Sequence, residues 1–358
     1  MFLTSVPAHA AVNEAVRLAR RRGGESASRF TNAILRRYLR EGIPAGLPAL
    51  EDDPVGHLVA EESCPRWLAE RWVKRLGPET ARARRVASNR TPPLALRVLA
   101  EGSREAAQQE LRAREIRFAQ SELHRDVLLL PGGTDPRTLE SFTRGDVIVQ
   151  DPSAALVTSM ADPPERTTSL LDLCAAPGGK LIALASQSEV FGIVVGADRS
   201  PSRLKRLLEN RARAELGRVH VLAMDALAPA LNRRFQTVLL DAPCSGLGTM
   251  ARHADLRWRI QPDDIPRLGR LAGSLLASAA ELVEDGGLLL YSTCTTEPEE
   301  NDDVIYDFLE TRDDFARERP ARPLPVGTVE ESGTLRLVPE VHPGDGAFAV
   351  RLRKRSTP

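Results

Sequence analysis

Apolar residues recur along this chain with two different periods, and the change between them divides it. From Val12 to Leu18 and again from Phe30 to Leu39 they fall three and four apart. That spacing predicts two amphipathic helices separated by the breaker Gly23-Gly24. Gly42 to Pro54, rich in Pro, Gly and Asp, reads as a linker. Helical spacing returns from Cys64 to Leu76, where Trp67, Leu68, Trp72 and Leu76 share a face that reads as core rather than as a platform for stacked bases. Glu79 to Ala87 continues as helix until Pro92-Pro93 stops it. Leu94 to Leu99, Val127 to Leu130 and Asp146 to Gln150 then read as strands, with a helix from Ser103 to Arg114. The predicted order is a helical region over 1–45, a linker and helices over 46–89, a small α+β module over 90–150, and a larger domain over 151–358.

From Thr168 onward short apolar runs alternate with helical stretches, the pattern of a mostly parallel sheet covered by helices on both faces. The first run, Leu170-Leu171-Asp172-Leu173, passes into Cys174-Ala175-Ala176-Pro177-Gly178-Gly179-Lys180 and then into a helix from Leu181 to Ser186. An open α/β sheet offers a ligand site at the carboxyl end of such a strand. Gly178 and Gly179 have no Cβ to obstruct a bound molecule, and the free amides of the following helix favour an electron-rich partner. The glycine spacing fits neither G-x-G-x-x-G nor G-x-x-x-x-G-K-[ST], which weakens the dinucleotide and P-loop readings. A second strand, Gly192 to Asp198, and a third, Val219 to Asp225, each end in an acid, and Pro201 opens a helix from which Arg203 can reach back. Two further runs, Leu239 to Gly246 and Leu290 to Thr295, carry Cys244 and Cys294 at their ends. Thr334 to Val338 and Gly346 to Arg353 are expected to close the sheet as a pair.

Composition adds mostly exclusions. The 358 residues are 42% hydrophobic and 27% charged, ordinary for a chain with a sizeable core. No apolar run approaches the ~18 residues that span a membrane. Met1 to Ser5 lacks a basic region leading into an apolar one, so no secretion is expected. Four cysteines without close pairing and six scattered histidines argue against a disulfide framework or a metal site, and a reducing cytoplasm is the expected compartment. The net charge of zero is unevenly spread: Arg17, Arg20, Arg21, Arg22, Arg29, Arg36, Arg37 and Arg40 crowd the N-terminal helices against Glu14 and Glu25. Such a run reads either as a solvated helix face or as a phosphate-contacting surface. Lysine is rare, and Lys180 is one of four.

Together D-L-C-A-A-P-G-G-K, D-A-P-C-S-G-L-G, Y-S-T-C-T and E-P-E-E-N resemble the motifs of the S-adenosylmethionine-dependent RNA cytosine-5 methyltransferases. The resemblance covers nearly the whole chain from about Val12 and is nearest to the bacterial 16S ribosomal RNA methyltransferase B subfamily. It implies a seven-stranded Rossmann-like methyltransferase sheet with one antiparallel strand, preceded by an α+β RNA-binding module and a short NusB-like helical region. V-N-E-A-V-R-L-A-R and F-T-N-A-I-L-R-R resemble the closing helices of a NusB-like domain; its earlier helices have no counterpart here. Either these helices pack on the rest of the protein or the sequence starts inside a longer one. A departure falls in the last strand, where Gly346-Ala347-Phe348 stands for the family's G-F-F.

Carried over residue by residue, the resemblance assigns Cys174 to Lys180, Asp198, Arg203, Asp225 and Asp241 to S-adenosylmethionine, with Asp198 on the ribose hydroxyls and Asp225 near the adenine amino group. Cys294 becomes the nucleophile, Cys244 the group that assists release, Asp241 a partner for the base, and Lys180 a stabiliser of the same region. Asn301, closing the E-P-E-E-N run, is expected to orient the loop bearing Cys294. The chemistry requires such a set, because carbon 5 of cytosine is a poor nucleophile until a thiolate adds at carbon 6. The residues alone leave open which thiol attacks, and DNA cytosine-5 enzymes use the cysteine of the P-C pair instead. For Cys174 the resemblance implies a lining role for its backbone and no chemistry for its thiol. The family implies RNA as partner, in small-subunit ribosomal RNA and in a loop or single strand, since the base must leave its stack. A monomer without metal is expected. The same chemistry on transfer RNA, and a non-catalytic RNA-binding assembly factor, are the competing readings.

Overall fold

The protein is described from a computed structural model covering residues 6–42, 46–100, 102–162, 168–187 and 191–356. Met1 to Ser5 and residues 43–45 of the expected linker lie outside these residues. The chain divides between Thr91 and Pro92 into two compact units.

The first unit is helical. Helix α1 (Ala8–Glu41) is broken at Gly24, where φ is 74° and ψ −167°, so it runs as the two helices that the glycine pair predicts. Helix α2 (Pro54–Ala60) is not legible in the sequence; Asp53 caps it by accepting a 2.8 Å bond from the Gly56 amide, with Pro54 in the first turn. Helices α3 (Arg66–Leu76) and α4 (Pro78–Asn89) follow. Leu58, Cys64, Leu68, Trp72 and Ala81 are buried, so the Trp72 face is core.

The second unit begins with a four-stranded antiparallel sheet built from β1 (Leu94–Val98), helix α5 (Ser103–Ala113), β2 (Ala119–Gln120), β3 (Val127–Leu130), helix α6 (Glu140–Thr143) and β4 (Val147–Val149), in strand order β2-β3-β1-β4. Alternation along β1 sends Leu96 and Val98 against Ala107 and Leu111 of α5. Ala95 and Arg97 point to the other face, where helix α7 (Pro152–Ser159) lies: Ala95 packs with Ala155, and Arg97 Nη1 donates to Gln150 Oε1 at 2.7 Å and Thr158 Oγ1 at 2.6 Å. Burial pulls the Arg97 guanidinium down to about 10, with Asp126 opposing.

The larger sheet comprises β5 (Thr168–Asp172), helix α8 (Gly179–Gln187), β6 (Phe191–Asp198), helix α9 (Pro201–Arg213), β7 (Val219–Ala223), β8 (Phe235–Asp241), helices α10 (Leu256–Arg259) and α11 (Asp264–Glu281), β9 (Val283–Thr293), helix α12 (Asp302–Thr311), β10 (Phe315–Glu318), β11 (Leu335–Leu337) and β12 (Ala347–Lys354). Its order is β10-β12-β9-β8-β5-β6-β7, with β5 to β9 parallel and β12 antiparallel between β9 and β10. Central strands covered on both faces read as unbroken apolar runs, as in Val238-Leu239-Leu240 and Leu288-Leu289-Leu290-Tyr291. The expected closing pair of Thr334–Val338 with Gly346–Arg353 forms as β11 with β12, but it is not the whole edge. β10 pairs with the far half of β12, so the path holds seven strands and β11 is an eighth beside it. Phe-Ala-Arg-Glu, the whole of β10, carries too little apolar content to read as a strand. Phe348, the ring kept where the family has two, is buried edge-on to Tyr291 with centroids 6.3 Å apart.

Candidate active site

The loop after β5 is fixed from both sides. The Leu173 amide donates to Leu239 O at 3.0 Å and the Ala175 amide to Ala197 O at 2.9 Å, tying the loop to β8 and β6. The Ala176–Pro177 peptide is cis, and Gly178 has φ +104°. A Cβ on Gly178 would lie 3.0 Å from Leu207 of α9, so this turn packs closely on that helix. Asp198, at the end of β6, is buried and accepts bonds from the Ser200 amide at 2.9 Å and the Ala176 amide at 3.3 Å. Arg203 reaches back as expected: its guanidinium lies 3.5 Å from Asp198 and also donates to Ala176 O. Asp225 falls beyond β7, which ends at Ala223; it sits exposed in the following turn, where it accepts the Leu227 amide at 2.9 Å. The Met224 amide donates to Asp198 O, so the two acids share one edge of the sheet.

The register of β8 against β9 brings the two thiols together. Asp241 pairs with Ser292, and Cys244 and Cys294 follow three and two residues later, where the chains leave the sheet. Their Sγ atoms lie 3.5 Å apart, both half-buried. Lys180, in the first turn of α8, donates to Asp241 Oδ2 at 2.7 Å, and Ser292 Oγ donates to Asp241 Oδ1 at 2.7 Å. The Cys244 loop is closed by the Gly248 amide donating to Cys294 O at 3.1 Å and the Gly346 amide donating to Gly248 O at 2.8 Å. A Cβ on Gly248 would come within 2.7 Å of Cys294 O and 2.8 Å of Gly346 Cα, so this crossing admits glycine alone.

Charge distinguishes the thiols. The hydrogen bond to Cys294, then burial and the neighbouring Cys294 and Glu300 charges, hold the Cys244 thiol well above its usual range. Lys180 is pulled down by burial but raised on balance by Asp241 and, after it, by Cys294 and Asp172. Cys174 is pushed up to about 12 by burial and by Asp172. Asp172, buried beneath the loop, is pushed up to about 8 by burial and by Asp241, with Lys180 opposing.

Several residues here lie beyond what the sequence alone picks out. Asp172 looks like part of an apolar run, and Ser292 like strand polarity. Asn301 does orient the Cys294 loop: its Nδ2 donates to Thr295 O at 3.1 Å and its Oδ1 accepts from Thr293 Oγ1 at 2.6 Å. Glu300 reads in sequence only as an acid in a helix's first turn, yet it is buried and bonded to both cysteine loops. The signal is there in E-P-E-E-N, but nothing in a sequence says which of its acids turn inward. Among the described residues no cluster of His, Cys, Asp and Glu could hold a metal, and no helix is long and apolar enough to cross a membrane.

A parallel sheet with an antiparallel strand inserted next to its edge, a glycine-bearing turn after its central strand and a buried acid at the end of the strand that follows define the class of Rossmann-like methyltransferases. The model of the family described as 16S rRNA methyltransferase RsmB/F matches residues 159–353. The NusB family matches residues 1–40, and the RsmF/B-like methyltransferase ferredoxin-like domain matches residues 64–135. A probable ribosomal RNA small subunit methyltransferase B of Bacillus subtilis is 35% identical over 361 residues, covering 99% of this chain and 80% of that protein. The ribosomal RNA small subunit methyltransferase B of Pseudomonas putida is 38% identical over 334 residues, covering 92% and 73%. A crystal structure of a methyltransferase homolog protein from Pyrococcus horikoshii superposes with a TM-score of 0.72 at 27% identity, covering 84% of this chain and 98% of that one. The chain belongs to the 16S rRNA methyltransferase RsmB/F family, whose members are RNA methyltransferases.

Proposed function

We propose that the protein methylates carbon 5 of a cytosine in 16S ribosomal RNA, with S-adenosylmethionine as methyl donor and Cys294 as nucleophile. The observation that carries this reading is the pair of thiols 3.5 Å apart beside the Lys180–Asp241 ion pair, at the carboxyl ends of adjacent parallel strands. The donor set suits the cofactor: a turn running into helix amides from Cys174 to Lys180, Arg203 braced on that turn, and the Asp198 and Asp225 carboxylates along one edge. When bound, S-adenosylmethionine supplies an electrophilic methyl group.

The remaining work falls to the chain. Lys180 keeps its charge beside Asp241 and, after it, Cys294, while the hydrogen bond to the neighbouring sulfur, burial and Glu300 hold the Cys244 thiol up. The Cys294 thiolate forms a bond to carbon 6, carbon 5 takes the methyl group, a base removes the carbon 5 proton, and the bond from Cys294 to carbon 6 breaks. Asp241, held at both oxygens by Lys180 and Ser292, offers its carboxylate to the base. Cys244 assists the release step from the opposite side of the sulfur pair. The 90–150 module and the N-terminal arginines contribute RNA contact; among the described residues Arg21, Arg22 and Arg29 are exposed and have no ion-pair partner. Incubation with labelled cofactor and with RNA tritiated at carbon 5 of cytosine tests the whole reading. Tritium release coupled to methylation of 16S RNA supports it. Methylation of transfer RNA alone moves the substrate, and RNA binding without transfer leaves an assembly factor.

A further inference from the structure

Glu300 is a carboxylate with no exposed surface, yet it belongs to neither cysteine loop. Its Oε1 accepts the Ser245 amide at 2.6 Å. Its Oε2 accepts Ser245 Oγ at 2.6 Å and Thr295 Oγ1 at 3.0 Å. Ser245 Oγ and Thr295 Oγ1 are themselves 2.8 Å apart. Ser245 follows Cys244 directly and Thr295 follows Cys294 directly. One side chain therefore grips the residue next to each thiol.

The short 3-10 turn carrying it, Pro298–Glu300, is anchored as well. Tyr291 Oη, on β9, donates to Glu300 O at 2.5 Å. Helix α11 packs against the turn at Gly269, where a Cβ would meet Glu299 O at 2.2 Å. The acid is thus fixed by the sheet and by a helix before it touches either loop. Burial raises its proton affinity and the Ser245 and Thr295 donors lower it. Burying a carboxylate is costly unless its oxygens are hydrogen-bonded, and both oxygens here are committed to Ser245 and Thr295.

Resting on the cytosine-5 reading, we propose that Glu300 is the positioning residue of the thiol pair: by holding Ser245 and Thr295 together it keeps Cys244 Sγ opposite Cys294 Sγ, so that the release group stands where the attacking sulfur works. Removing the clamp leaves Cys294 on the end of β9, held by Asn301, while the Cys244 loop loses its inner support. Attack then survives and release suffers.

Two readouts separate this role from a general contribution to folding. The first is oxidation of the free protein by diamide, whose N=N bond takes up two electrons and two protons as two thiols join. The rate at which Cys244 and Cys294 form a disulfide, followed by peptide mass spectrometry without reduction, reports their separation directly. It should fall roughly tenfold or more in Glu300→Ala, and less in Glu300→Gln, which keeps one acceptor oxygen. The second is turnover: kcat should drop and a denaturation-resistant RNA adduct should accumulate, with KM for RNA falling alongside kcat so that kcat/KM stays within about twofold of wild type. If Glu300→Ala fails to fold, Glu300→Gln and Ser245→Ala, which removes one arm from the other side, should show the same changes in the same direction and to a smaller extent. Wild-type oxidation rates in the folded variants overturn the proposal. A wild-type protein that releases no tritium from carbon 5 overturns the cytosine-5 reading instead, and leaves the oxidation result to judge the clamp alone.

Discussion

Lys180 Nζ stands 2.7 Å from Asp241 Oδ2, joining the helix that follows the first strand of the parallel sheet to the end of the strand beside it. The pair sits between the glycine-bearing turn and the thiols. Replacing Lys180 by Met leaves Asp241 bonded to Ser292 and removes the cation from the site that holds the thiols. The expected result is a loss of kcat larger than any loss of stability, the latter about 1–3 kcal/mol because both groups are partly solvated. Chemical denaturation alongside single-turnover methylation checks the split.

Asp198→Ala should weaken S-adenosylmethionine binding. On this reading two directed bonds to ribose hydroxyls are lost, each worth about 1.5–3 kcal/mol. The same change frees the Ala176 and Ser200 amides and Arg203, so the loop loosens too. Calorimetry showing wild-type affinity removes Asp198 from the cofactor site.

The two thiols should differ in what their removal leaves behind. Cys294→Ala abolishes both methylation and any covalent RNA adduct. Cys244→Ala still attacks and transfers, then accumulates protein–RNA adduct visible on a denaturing gel. The reverse pattern assigns attack to Cys244, as in the DNA enzymes.

Asp172 makes stability depend on pH. Its carboxyl binds a proton far more tightly in the folded chain, about 8 against 3.8. Between those values the unfolded chain holds fewer protons, so stability falls as pH rises through that window and levels off above it. Asp172→Asn keeps the neutral form at every pH. Its Tm should exceed that of wild type more at about pH 9 than at about pH 5, and an advantage independent of pH would show that Asp172 is ionised throughout.

Neutralising Arg21, Arg22 and Arg29 should lower RNA affinity and flatten its salt dependence, by about 0.7–0.9 in slope for each phosphate no longer neutralised. An unchanged slope makes that stretch a solvated helix face.

The parallel sheet is legible in the sequence because its central strands are covered on both faces and so spell themselves as apolar runs ending in Asp241 and Ser292. The kink at Gly24 is legible from the glycine pair. The edge strand β10 is not, since an edge packs one face and tolerates Arg317 and Glu318. The proximity of Cys244 and Cys294 follows from strand order, but their 3.5 Å spacing depends on register and loop closure, which no local pattern records. Glu300 is invisible for a related reason: its partners lie five and fifty-five residues away, and only the folded turn aims it at both.

The crossing of Gly248 and Gly346 ties the thiol site to the order in which the chain is made. The Cys244 loop closes on Gly346, and Arg252, just beyond that loop, pairs with Asp345 at 3.1 Å and Asp151 at 2.6 Å. β12 must also slot between β9 and β10 before the sheet is complete. A nascent chain that has emerged only as far as Cys294 carries both sulfurs but lacks the strand that seats one of them. The last contact closing the Cys244 loop therefore comes from a residue far beyond Cys294, and it can form only after the chain has been made past Gly346.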